Sequence, residues 1–308
     1  MTGSTSHFVH VNDIQMHYVD RGTGPIVVLL HGFPETHRSW DLQVPSLVDA
    51  GFRVITPDLR GYGSTDRPRR GYELDNLGRD IAELIDVIAE PSQRTQSSKV
   101  DGVDEGPTAR VFLVGHDWGG AVAWHVATRY PEKLRKLVVL NCPHPVRMAE
   151  ALLSDVDQLK RSWYMFFFQL PLLAEWWLTK NDGSNLTRLF RANFSRPHAP
   201  PSEILEASRQ ALMEPDAARA AVAYYRYALR SWFNPLRMKQ IMRSYGPIRV
   251  PVAVIWGERD IALGRRLLEG TERFAHELDI VPVPGAGHFV HQEEPDVVNA
   301  TLREIFRS

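Results

Sequence analysis

Asp117 stands at the centre of Gly115-His116-Asp117-Trp118-Gly119-Gly120, between an apolar run, VFLVG, and a helical pattern, AVAWHVATRY. Small residues flank a catalytic side chain where a strand turns sharply into a helix, because the strained turn leaves no room for a Cβ. A carboxylate in that place differs from Ser or Cys. It needs no base to be nucleophilic at neutral pH, and it attacks alkyl carbon to give an ester bound to the protein. Asp is also a common helix N-cap, so the elbow alone leaves a structural role open. Two other segments favour chemistry. In VAVIWGERD, residues 252–260, Asp260 follows a buried apolar run, and in VPVPGAGHFVHQEEP, residues 281–295, His288 sits in a small-residue loop before Pro295. The chain order is nucleophile, acid, histidine, the order that accompanies such an elbow. His31-Gly32-Phe33-Pro34, directly after IVVLL, is the fourth part. The loop after that early strand supplies one backbone N–H to an oxyanion and the residue after the nucleophile supplies another, which assigns Phe33 and Trp118.

These residues must be held by strand ends. Short apolar runs lie at 26–30 (IVVLL), 52–58, 111–117, 136–141, 250–257 and 278–285, as expected of strands covered on both faces. Helical patterns at 74–90 and 120–134 alternate with them, which predicts an α/β protein with a doubly wound, mostly parallel sheet. Residues 7–20 alternate apolar and polar around Asn12-Asp13 and predict a hairpin. Residues 91–110 are polar and read as a surface loop. From 143 to 232 no strand pattern appears and aromatic residues are frequent. The expected organisation is a core of 1–142 and 233–308 with a helical cap at 143–232.

Composition narrows the partners. Lys plus Arg total 36 against 37 for Asp plus Glu, a net charge of -1, so phosphate backbones and anionic membrane surfaces are not expected to bind. Cys142 is the single cysteine and reads as a buried small hydrophobe; a disulfide framework or Cys-based zinc site is excluded. No set of His and carboxylate residues has metal-ligand spacing, and no GxGxxG or P-loop follows the first strand. Neither metal nor cofactor is expected. The first residues lack a signal-peptide pattern and no stretch is long and apolar enough to span a bilayer, so a cytoplasmic location is expected. His116 and His125 read as packing or capping residues, His291 as lying outside the catalytic loop, and Asp58 as organising its own loop by hydrogen bonding.

HGFPE at 31–35, DLRGYGSTDRP at 58–68, GHDWGG at 115–120, WGERD at 256–260 and GAGHFVHQEEP at 285–295 resemble the motifs of the epoxide hydrolases of the α/β-hydrolase superfamily. The resemblance covers about residues 24–142 and 233–308 and implies the α/β-hydrolase fold. Haloalkane and fluoroacetate dehalogenases share the Asp nucleophile, so the core implies the ester mechanism better than the substrate. Opening an epoxide expels an alkoxide that needs a proton, whereas halide leaves without one; two O–H donors over the nucleophile suit the first reaction only. SWYMFFFQLP, residues 162–171, resembles the first cap motif of epoxide hydrolases, with Tyr five residues before Gln, and matches Tyr164 and Gln169. VAYYRY, residues 222–227, resembles the second, in which Tyr precedes Arg, and matches Tyr225. Tyr224 and Tyr227 remain alternatives, since successive helix positions differ by about 100°. Trp163, Phe166, Phe167, Phe168, Trp176 and Trp177 mostly look like packing residues. Phe33 favours the epoxide reading, because many haloalkane dehalogenases carry Asn there, while Trp118 occurs in both families. The resemblance thus implies Asp117 as nucleophile, His288 as base oriented by Asp260, Tyr164 and Tyr225 as proton donors, and His31, Pro34 and Phe168 against a small apolar epoxide, with water as co-substrate. A dehalogenase on the same core is the alternative, and a homodimer is left open.

Overall fold

Asn12 and Asp13 take φ of 41° and 62°, the paired positive values of a two-residue hairpin turn, and join β1 (Thr5–Val11) to β2 (Ile14–Arg21). The computed structural model describes residues 5–90, 110–195 and 199–307. The predicted runs become β3 (Ile26–Leu30), β4 (Arg53–Pro57), β5 (Val111–His116), β6 (Leu134–Leu140), β7 (Val252–Gly257) and β8 (Leu278–Val283). They form one eight-stranded sheet in the order β1-β2-β4-β3-β5-β6-β7-β8, antiparallel in the first two pairings and parallel from β4 to β8.

The central strands are covered on both faces because they are apolar on both, whereas half of the residues of β8 are exposed. Val28 and Leu30 of β3 join one core with Leu77, Ile81 and Leu84 of α2 (Leu74–Ala89) and Val122 of α3 (Trp118–Arg129). Val27 and Leu29 join the other with Leu47 of α1 (Val44–Asp49) and Val298, Leu302 and Phe306 of α12 (Pro295–Arg307). Alternate residues of one strand therefore anchor opposite layers. Each fully buried Leu or Ile contributes roughly 2 kcal/mol of transfer free energy. α3 ends at Arg129 instead of continuing to 134, since Tyr130 precedes Pro131 and leaves helical geometry, with φ -133° and ψ 49°.

Between β6 and β7 the chain runs through α4 (Pro145–Ser154), α5 (Val156–Arg161), α6 (Trp163–Phe167), α7 (Leu173–Ala192, kinked at 180–183), α8 (Ser202–Met213), α9 (Ala217–Trp232) and α10 (Pro235–Ser244). α11 (Val290–Glu293) follows β8. The polar segment expected as a loop at 91–110 lies, except for Arg110, outside the described residues. Among those described, no helix is long and apolar enough to cross a membrane.

Candidate active site

Asp117 sits at the corner between β5 and α3 with φ 49° and ψ -121°, a region that a residue with a Cβ rarely adopts. The glycines make that corner feasible. A Cβ on Gly119 would lie 2.3 Å from the Leu30 carbonyl oxygen, and one on Gly32 would lie 2.4 Å from the Asp117 Cβ. Although Asp117 occupies the N-cap position of α3, its side chain makes no capping bond. Its Oδ1 instead accepts from the Phe33 backbone N–H at 2.8 Å. Trp118 begins α3, so its N–H is among the donors that a helix leaves unpaired at its N-terminus.

Asp260 and His288 lie in the loops after β7 and β8. His288 Nδ1 is 2.8 Å from Asp260 Oδ2, and its Nε2 is 3.5 Å from Asp117 Oδ2. Asp260 is fixed in turn. Its Oδ1 accepts from the N–H groups of Ala262 and Leu263, and its Oδ2 from Asn141 Nδ2, all at 2.8 Å. Burial opposes the charged forms of both partners, yet the pairing outweighs it: Asp260 is held below its ordinary pKa, and Asp260 with Asp117 holds His288 well above its own. The two carboxylates thus favour the protonated form of the imidazole between them.

A second network lies behind this one. His116 Nε2 donates to the His288 carbonyl oxygen at 2.9 Å, while its Nδ1 faces Glu35 Oε2 at 3.0 Å. Glu35 also accepts from the Gly32 N–H and from Gln292, and lies 3.7 Å from His291 Nε2. Burial would raise its pKa, but His116 and His291 bring it below the usual carboxylate range. Burial pushes His291 down to about 4. The loops bearing Phe33 and His288 thus share one buried anchor. His291, expected outside the loop of His288, touches that anchor and neither Asp117 nor Asp260.

Asp117, Trp118, Cys142, Tyr164, Met165 and Tyr225 face a common cavity, closed further by Trp232 and Leu263. The Tyr164 and Tyr225 rings meet edge to face, 5.7 Å apart, and Tyr225 sets an edge against Phe33 and Trp118. Burial, with Asp117 adding to it, raises both phenol pKa values, so both keep their protons and remain donors. The alternatives on α9 point elsewhere: the Tyr224 hydroxyl donates to the Arg60 carbonyl at 2.7 Å, and Tyr227 packs toward Tyr72. Of the residues expected against substrate, His31, Pro34 and Phe168 do not line this cavity. Both His31 ring nitrogens are engaged, Nδ1 donating to the Gly32 carbonyl and Nε2 accepting from the Leu59 N–H. Pro34 is buried after a cis peptide bond, and Phe168 packs behind Phe33 and Tyr225. Sequence reasoning missed the apolar walls, since Leu74, Pro145 and Met148 carry no signal that separates lining from packing.

A wider cavity of about 340 Å³ adjoins the first and shares Leu74, Trp118, Pro145 and Trp232 with it. Tyr245 and Ile241 form part of its wall, and Arg237 and Gln240 of α10 lie along it. His125 bridges Tyr245 and Asp75 there, a structural role as expected.

No His and carboxylate set has metal-ligand spacing along the sequence, but two such groups come together in space. His17, His37 and Asp58 form one, and Glu35, His116 and His291 the other, with ligand atoms within 4.8 Å. Each draws on distant segments, which local spacing does not reveal. In the first, Asp58 receives His17, His37 and the N–H groups of His37 and Ser64, so its oxygens are occupied in organising the loop. In the second, the His116–Glu35 hydrogen bond uses the same atoms.

An acidic residue at a strained strand-to-helix corner, a histidine and a second acid after later strands, and a helical excursion above a doubly wound sheet define the class. The chain belongs to the α/β-hydrolase family, whose model matches residues 27–301. It is 36% identical over 312 residues to "AB hydrolase superfamily protein YfhM" of Bacillus subtilis, with 100% of both chains covered. It is 32% identical to human "Epoxide hydrolase 4", covering 97% of this chain and 78% of that one. Among solved structures, one from a study of novel epoxide hydrolases in metagenomes from hot environments superposes with a TM-score of 0.79 at 30% identity, with 99% of both chains covered.

Proposed function

We propose that the protein is an epoxide hydrolase that converts an apolar epoxide to a vicinal diol through an ester on Asp117. The observation that carries this reading is the placement of two protonated tyrosines, Tyr164 and Tyr225, in one cavity with the Asp117 carboxylate. The helices from 143 to 232 act as the cap that brings those donors over the core. Epoxide hydrolases among the relatives support the same substrate class.

Asp117 Oδ1 is engaged by Phe33, which leaves Oδ2 to attack a ring carbon. The carbon–oxygen bond breaks, and the departing oxygen takes a proton from Tyr164 or Tyr225. Esterification removes the Asp117 charge that helps hold the proton on His288, so the imidazole's pKa falls, its proton passes through solvent to the tyrosinate, and it becomes a base. It takes a proton from water, whose oxygen adds to the ester carbonyl carbon. The N–H groups of Phe33 and Trp118 bind the oxyanion, each contributing on the order of 3 kcal/mol. On collapse the added hydroxyl passes its proton to the departing alkoxide, so the diol leaves and the Asp117 carboxylate is restored, while His288 keeps the proton taken from water, as in the resting protein.

The test uses His288→Gln mixed with styrene oxide. The expected result is a protein mass increased by one epoxide, located on the peptide containing Asp117. Intact substrate and unmodified protein would overturn the mechanism. Halide release from a haloalkane or haloacetate, without diol formation by the unaltered protein, would favour the dehalogenase alternative.

A further inference from the structure

The near-zero charge of the whole chain conceals a strong local imbalance. From 217 to 257 there is no acidic residue, while Arg219, Arg226, Arg230, Arg237, Lys239, Arg243 and Arg249 are all basic. α10, within that stretch, buries no residue fully. It carries Arg237, Lys239 and Arg243 beside Leu236, which is 81% exposed. Phe233, just before it, is half exposed and packs edge-on against Phe166 of α6. Arg226, Arg230 and Phe233 share one face of α9 at helical spacing. Arg226 binds the Phe168 and Leu170 carbonyls and Glu175, so the exposed Leu172 and Trp176 border that same face. The outcome is a set of exposed Trp, Phe and Leu side chains edged by cations.

We propose that this surface docks the protein on an anionic lipid bilayer, with Leu236, Phe233, Leu172 and Trp176 entering the headgroup boundary and Lys239, Arg243 and Arg230 facing lipid phosphates. Amphipathic surfaces with aromatic and leucine side chains beside Lys and Arg bind membranes in this manner. Charge selects the occupant. A second copy on the same face, related by a twofold axis, would bring two sets of these cations together, whereas anionic headgroups neutralise them. Position agrees: Arg237, Gln240 and Ile241 of the same helix border the wide cavity, which shares Leu74, Trp118, Pro145 and Trp232 with the cavity of Asp117. For an apolar epoxide, which partitions into lipid, the docked face would put the source of substrate next to that cavity; this point alone rests on the function proposed above.

The full-length protein is sedimented with vesicles of phosphatidylcholine alone and of phosphatidylcholine and phosphatidylglycerol in equal parts, in the absence of substrate. Binding to the mixed vesicles is expected, falling with added salt, with little binding to phosphatidylcholine alone. Lys239→Gln with Arg243→Gln should weaken it about thirtyfold. Leu236→Ser with Trp176→Ser should weaken it comparably, and circular dichroism should show every variant folded, since these side chains are exposed. Absence of binding to mixed vesicles, or equal binding by the variants, overturns the proposal. So does self-association that the same substitutions abolish, which would assign the face to a second copy. Because no substrate is present, failure of the epoxide reading would leave the vesicle result intact, and a negative vesicle result would leave turnover intact.

Discussion

The side-chain amide of Gln169 donates to the backbone carbonyl of Tyr225 at 3.2 Å, and also to the Met165 carbonyl at 3.0 Å. One side chain thus ties the segment of Tyr164 to the helix turn of Tyr225. Arg226 reinforces the tie from the other side through the Phe168 and Leu170 carbonyls. Gln169→Ala should loosen the two donors and slow ester formation about tenfold, as expected when a positioning contact is lost. Hydrolysis of an ester already formed should be unchanged. Rapid-quench measurement of the two steps checks this, and an equal effect on both would refute it.

Adjacent tyrosines on α9 should behave differently. Tyr225→Phe removes a donor from the Asp117 cavity and should lower ring opening about a hundredfold, the scale of a lost general acid. Tyr224→Phe loses its bond to the Arg60 carbonyl and should cost ~1 kcal/mol of stability with turnover nearly unchanged. Diol formation and thermal unfolding of both variants separate the roles.

His288 also sets a pH dependence. Its folded pKa is raised above the unfolded value of about 6.5. The protonated group therefore adds stability that is fully present below about pH 6.5 and is lost as pH rises through the raised folded value. Thermal unfolding of the unaltered protein and of His288→Gln, compared from acid to alkaline pH, should show a difference that shrinks with rising pH. A difference independent of pH would mean that His288 is neutral in the resting protein.

Two glycines offer a control on the strained corner. Gly119→Ala forces a Cβ to 2.3 Å from one backbone oxygen and 2.5 Å from another, and backbone there cannot yield. A loss of ~4 kcal/mol or failure to fold is expected. Gly246→Ala meets no atom within 4 Å and should leave the melting temperature within a few degrees.

The sheet and the meeting of Asp117, Asp260 and His288 at strand ends are legible in sequence because their signals are local: unbroken apolar runs, glycines around Asp117, and loops directly after strands. The hairpin turn is legible for the same reason. Choosing Tyr225 over Tyr224 is not, since only the rotation of α9 decides which hydroxyl meets the Arg60 carbonyl. His31 and Phe168 show a second limit, because a side chain supporting the cavity wall has the same composition as one forming it. The Glu35, His116 and His291 group shows a third. Its members come from three segments, and no spacing within one segment records their meeting.

Cys142, buried past the end of β6, has its thiol pushed up by burial and by the nearby Asp117 and Asp260 charges. It therefore stays a protonated, poorly accessible thiol at neutral pH, and the sequence contains no other. A cysteine introduced at the exposed Leu236 would be the one thiol open to a dye. A polarity-sensitive fluorophore placed there would report, by its own change in emission, when α10 leaves water for lipid, with no native cysteine to remove first.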